Sequence, residues 1–133
     1  MSKTVIFTKN APPAPPYASQ GIICNGMIHC SGSLAFEPGT MKVISGGIKA
    51  ETRQIIKNLE AVLEAGGSSL ADLVKVNVFI ASMDDFKAMN EAYDEFFADI
   101  PQKPCRTCVA VQLALGAKVE IDCVALVRSR ARL

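Results

Sequence analysis

The chain has 133 residues, enough to bury one core and too few for two ordinary domains. Half of the residues are hydrophobic, mean hydropathy is +0.25 and the formal net charge is +1, which leaves no overall electrostatic case for nucleic acid or an anionic membrane surface. Charges or glycine interrupt every apolar stretch before it reaches the length of a membrane span, so the apolar excess points to surface buried against further copies of the chain.

In chain order, Lys3 to Thr8 alternates weakly and reads as an edge strand. Asn10 to Pro16 holds four prolines in seven residues, which excludes helix and inner strand and leaves an extended connector. Gly21 to Cys24 and Met27 to Ser31 are short β runs around Asn25-Gly26, the dipeptide of a tight hairpin turn. Phe36 to Gly47 is turn-rich and reads as irregular. From Ile48 to Ala65 the residues Ile48, Ile55, Ile56, Leu59, Val62 and Leu63 fall on one helical stripe, ended by Gly66-Gly67.

After a link at Leu70 to Leu73, the run Val74 to Ile80 reads as a strand with Val74, Val76, Val78 and Ile80 on one face. Ser82 or Asp84 caps a second helix that runs to about Phe97, with Phe86, Met89, Tyr93, Phe96 and Phe97 apolar. Ile100-Pro101 stops it. Pro104 to Leu126 then holds two β-rich runs around the turn-prone Ala114-Leu115-Gly116-Ala117, which reads as a closing hairpin. The order β-β-β-α-β-α-β-β predicts a single α+β domain over 1–133, two helices covering one face of a mixed six-stranded sheet. The other face still carries Val and Ile and needs a cover of its own.

Five cysteines (24, 30, 105, 108 and 123) are an odd set placed mostly in strand-like runs, read as reduced, buried thiols of an intracellular protein. Cys105-x-x-Cys108 has redox or zinc spacing, but positions three apart on a strand face opposite ways and no second pair exists, so no metal site is expected. His29, the one histidine, falls in a short strand and reads as a satisfied core or interface residue rather than a partner for Cys108. The N-terminal residues carry neither signal-peptide nor transit-peptide character, so the cytoplasm is the expected location. Ala131-Arg132-Leu133 follows the small-basic-Leu pattern of a peroxisomal address, a second choice alongside the mitochondrial matrix.

Two charges stand inside otherwise apolar strands, where a buried charge is costly unless paired or used. Arg106 opens the first run of the expected hairpin; its planar fork matches a carboxylate bidentately, and the bland reading is a structural ion pair. Glu120 lies near the start of the second, where a partly buried carboxylate can hold and polarise a water, and the bland reading is a pair with Lys118. If the hairpin turns at Leu115-Gly116, Glu120 faces about Val111 or Gln112. Arg106 then stands roughly 17 to 20 Å away at about 3.3 Å per residue. One chain's hairpin cannot put both on one small ligand, so a shared substrate requires two subunits.

Pro104-Cys105-Arg106-Thr107-Cys108-Val109 with Val119-Glu120-Ile121 resembles the signature of the RidA (YjgF) family of reactive imine and enamine deaminases. Tyr17-Ala18-Ser19-Gln20-Gly21, Met27-Ile28-His29-Cys30-Ser31-Gly32 and Asn90 through Phe97 are similar to three further family segments, in the same order. The resemblance implies a chorismate-mutase-like homotrimer with ligand pockets between subunits. It also implies hydrolysis of small 2-imino or 2-aminoacrylate-type acids to 2-keto acids and ammonia, with no metal or organic cofactor. By the same resemblance Arg106 takes the substrate carboxylate, Glu120 and the Cys108 backbone carbonyl hold the water, and Tyr17, Ser31, Gly32 and Asn90 line the pocket. Ser33, Cys105 and Thr107 depart from the family pattern and bear on side-chain preference rather than reaction type. Other readings are an endoribonuclease or translation inhibitor, which the balanced charge argues against, and a non-catalytic carboxylate binder or holdase.

Overall fold

A computed structural model describes residues 2–128. One six-stranded sheet carries β1 (Thr4–Ile6), β2 (Gly21–Cys24), β3 (Met27–Ser33), β4 (Leu73–Ile80), β5 (Cys105–Ala110) and β6 (Val119–Leu126) in the spatial order β1-β2-β3-β6-β4-β5. Only β4 and β5 run parallel; the other neighbours are antiparallel. Helices α1 (Gly47–Ala65) and α2 (Phe86–Phe97) pack on one side, giving the expected α+β arrangement and element order.

Local chemistry explains most boundaries. Asn25 and Gly26 adopt φ of 54° and 73°, the two left-handed residues of a type I′ turn, so β2 and β3 form the hairpin expected of that dipeptide. Helix α1 ends in a Schellman motif: Ser68 N–H donates to the Leu63 carbonyl at 2.8 Å and Gly67 N–H to that of Glu64 at 3.1 Å. Ahead of α2, the Ser82 hydroxyl accepts the Asp84 N–H at 3.1 Å and caps a single 3₁₀ turn, Met83–Asp85. Ile55, Leu59, Val62 and Leu63 of α1 and Met89 and Phe97 of α2 bury against Ile28, Val78, Ile80, Val119 and Ile121 of the sheet. Each such side chain is worth about 1.5–3 kcal/mol of burial.

The closing hairpin does not form. β5 lies beside β4, and β6 is inserted between β3 and β4. The cause is the alternation in β6: Val119, Ile121, Cys123 and Ala125 are all buried, the demand of a central strand, whereas β5 has no fully buried residue and suits an edge. With α2 as the crossover, β5 can return parallel to β4. Gly116, at φ 68°, therefore turns a longer connection rather than a two-residue loop.

Two smaller expectations are also corrected. Val74 is 38% exposed, because the β4–β6 register slips between Leu73 and Lys75 and Leu73 takes the core position instead. Of the five free thiols only Cys30 and Cys123 are buried; Cys24 and Cys108 are half-buried, and Cys105 is exposed. The tripeptide 131–133 lies outside the described residues.

Glu51 of α1, 4% exposed, is a buried carboxylate that ties the helix to the start of β6: its Oε1 accepts the Lys118 N–H at 2.9 Å. Burial pushes its pKa above the ordinary 4.5, against the opposing pull of the Lys118 N–H and charge. The folded state thus holds this proton more tightly than the unfolded chain, and stability falls as pH rises from about 4.5 through the folded value. Glu51→Gln keeps an acceptor for the N–H without the charge, so its melting temperature should decline less than wild type over that interval. Glu51→Leu strands the N–H and should lose about 1–3 kcal/mol at neutral pH. Parallel melting-temperature profiles for wild type and Glu51→Gln would contradict this account.

Candidate active site

A cavity of about 500 Å³ opens beside the end of β3, between the proline segment, α1, Met41 and the Ala114–Gly116 turn. Its proline wall is fixed from inside. The buried Gln20 side chain accepts the Thr8 N–H at 2.7 Å and donates to the Thr8 and Pro12 carbonyls at 3.1 and 2.8 Å. Tyr17 stands on the rim, 88% exposed. Ser31 closes the inner side: its N–H donates to the Gln20 carbonyl at 3.1 Å and its hydroxyl to that of Ser19 at 2.6 Å.

Glu120 reaches this cavity because the β3–β6 register breaks between Cys30 and Ser33, a bulge that brings Gly32 against its carboxylate. A Cβ at Gly32 would lie 2.5 Å from Glu120 Oε2, so the position requires glycine's bare backbone while the carboxylate stays where it is. Burial raises the Glu120 pKa, and the charge of Asp122 on the same face raises it further. No ion pair among the described residues involves Glu120, and Lys118 engages Glu51 through its backbone instead. At the mouth, Leu115 adopts φ 59° and ψ 24°, a left-handed conformation that costs a leucine about 1–2 kcal/mol.

Arg106 lies elsewhere, level with Val76 on the helix-facing side of β5. Its guanidinium carbon is 4.8 Å from the Tyr93 ring centre and 6.0 Å from that of Phe86, a cation–π cradle built by α2. Asn90, four residues after Phe86 and three before Tyr93, shares that stripe of the helix and is half-buried. No ion pair among the described residues includes Arg106. Burial raises the Cys108 thiol, against the pull of the Arg106 charge, so it is no ready nucleophile. Its backbone is better placed. Val111 N–H donates to the Ile80 carbonyl at 2.9 Å, so in this parallel register the N–H and C=O of residues 107, 109 and 111 point to β4. Those of Arg106, Cys108 and Ala110 then turn to the open edge of the sheet.

Of the expected site residues, the chain brings Tyr17, Ser31, Gly32 and Glu120 together and sets Arg106, Cys108 and Asn90 apart from them. Arg106 is level with Val76, and Glu120 with Phe79 across β4. Three residues along and two strands across place their backbones about 14 Å apart. The hairpin distance is therefore replaced, but the separation stands for a stronger reason: the side chains leave opposite faces of the sheet. His29 is likewise on the face opposite Cys108.

The sequence marks Phe86 and Tyr93 only as apolar helix positions and Leu115 only as a turn residue, and it assigns Met41 and Asp122 no role. The seven-residue spacing of Phe86 and Tyr93 around Asn90 was the available signal for an aromatic seat. For Leu115 only its place before Gly116 pointed to an unusual backbone.

A family model described as Endoribonuclease L-PSP matches residues 8–127. Protein mmf1, mitochondrial, from Schizosaccharomyces pombe is 46% identical over 129 residues, covering 94% of this chain and 76% of that protein. Reactive Intermediate Deaminase A, chloroplastic, from Arabidopsis thaliana is 35% identical over 125 residues, 94% of this chain and 66% of that protein. Among solved structures, E. coli TdcF with bound serine superposes with a TM-score of 0.87 at 33% identity, covering 95% of this chain and 99% of that one. On a match spanning nearly the whole chain, the protein belongs to the RidA (YjgF) family, the family of the Endoribonuclease L-PSP model.

Proposed function

We propose that this protein hydrolyses reactive 2-imino and 2-enamino acids, of the 2-aminoacrylate and 2-iminobutyrate type, to 2-keto acids and ammonia. It does so as a homotrimer whose sites each take residues from two subunits. The observation that carries this reading is the division of the site: a guanidinium seated on aromatic rings with no ion pair among the described residues, and, on the opposite face, a carboxylate whose proton affinity burial raises. A heterologous contact repeated around a three-fold axis joins the two halves and covers the open sheet face. Relatives support the chemistry through the name Reactive Intermediate Deaminase A, and TdcF with bound serine is a family structure holding a small amino acid.

In the assembled site Arg106 grips the substrate carboxylate with two parallel N–H donors and fixes the adjacent C=N carbon. Glu120 from the neighbouring subunit and the Cys108 carbonyl hold a water against that carbon. Its oxygen forms the new C–O bond while one proton passes to Glu120 and the C=N π electrons move to nitrogen. Glu120 returns that proton to nitrogen, then takes the remaining hydroxyl proton and hands it to the same nitrogen as the carbonyl forms and the C–N bond breaks, so that ammonia leaves. An enamine enters the same route after protonation at its terminal carbon. The raised Glu120 pKa suits both halves of this relay. The mitochondrial and chloroplastic names of the relatives favour the mitochondrial matrix over the cytoplasm as the working compartment.

Imine breakdown followed in a coupled dehydratase or amino-acid oxidase assay tests this reading. Arg106→Ala should lose nearly all acceleration while remaining trimeric, and Glu120→Gln should lose about a hundredfold. Co-refolding these two inactive variants should restore about a quarter of wild-type activity, because random mixed trimers regain sites with both groups only if the groups come from different chains. No recovery would place them on one chain. Gly32→Ala, which displaces the Glu120 carboxylate, should cost activity about tenfold with little change in melting temperature. Wild-type binding of 2-keto acids without any acceleration would instead identify a carboxylate binder, and salt-sensitive RNA cleavage lost in Arg106→Ala would identify a ribonuclease.

A further inference from the structure

The cavity beside Glu120 is much larger than a three-carbon acid requires: about 500 Å³ is in the range of pockets that enclose whole metabolites. Ser31, Gly32 and Glu120 meet on one side of it, and much of the remaining lining is apolar: alanine and proline, with Leu34, Phe36, Met41, Leu59, Val62 and Leu115. Besides Tyr17, the exposed lining includes two large apolar side chains, Leu115 and Met41, which are 71% and 58% exposed. Leu115 is doubly anomalous there. Its backbone is left-handed, a conformation that glycine or asparagine adopts more readily, and its side chain is largely exposed. A strained backbone that presents a large apolar side chain at a cavity mouth is a feature that stability alone does not supply.

Resting on the deaminase reading above, we infer that Leu115, with Met41 of the same cavity lining, is the specificity-determining residue. The two side chains close over the substrate's own side chain and select imino acids with a long apolar chain over the three-carbon compound. The reacting atoms and the proton relay are unchanged; only the cover over the remote end of the substrate differs.

The test compares the imines of leucine and alanine, each generated in place by an amino-acid oxidase. Wild type should accelerate breakdown of both, with the higher kcat/KM for the leucine-derived imine. Leu115→Gly, which relieves the backbone strain and so should fold, should lower the leucine-to-alanine ratio of kcat/KM about tenfold, as expected for loss of an apolar side-chain contact. Met41→Ala should lower it in the same direction. Wild-type acceleration of both imines with an unchanged ratio in both variants, or a wild-type preference for the alanine-derived imine, would overturn the inference and leave the deaminase reading intact. Acceleration of neither imine would overturn both.

Discussion

The period-two alternation of β6 is the constraint on which the rest of the structure depends. Val119, Ile121, Cys123 and Ala125 must all face the helices to complete the core, and a strand offers no other way to bury four alternating residues. Glu120 and Asp122 are thereby sent to the opposite face, where burial, and then the charge of Asp122 two residues on, raises the proton affinity of Glu120. A slip of one residue would expose the core and drive both charges into it, so the position of Glu120 is secured by the whole hydrophobic energy of the strand.

The guanidinium side is held differently. Edge strand β5 carries Arg106 on the helix-facing side, and α2 supplies two rings for it to rest on. Such a seat restrains the long side chain without neutralising it, which an internal carboxylate would do. The backbone of the same strand turns Arg106 and Cys108 toward an unpaired edge, so a charge and a carbonyl are offered side by side. A core strand and an edge strand thus present complementary chemistry on opposite faces, which the proposed trimer would bring together.

Much of this was legible in the sequence, and the reasons differ by element. The two helices, the Asn25-Gly26 hairpin and the Schellman stop at Gly66-Gly67 announce themselves through periodicity and turn chemistry, which are local. The pairing of β5 was not legible, because nothing in Cys105 to Ala110 states its neighbour; proximity to β6 argued for a hairpin that the burial demands of β6 forbid. Val74 departs from the alternation for a related reason, since a bulge exists only in relation to the partner strand. At the site, residue types pointed to Arg106 and Glu120, but the aromatic seat and the left-handed Leu115 are facts of packing and backbone angle that one-dimensional reading does not reach.

The Gln20 amide has a kinetic meaning beyond its hydrogen bonds. By pinning Thr8 and Pro12 at once, it freezes a segment already stiff with proline, so the wall of the cavity is in its working shape before anything arrives. An incoming metabolite then need not organise that loop, and capture on this side proceeds at the pace of encounter rather than of segmental closure. Under the proposed deaminase reading, whose substrates decay on their own, a receptacle that is always ready is the form that interception demands.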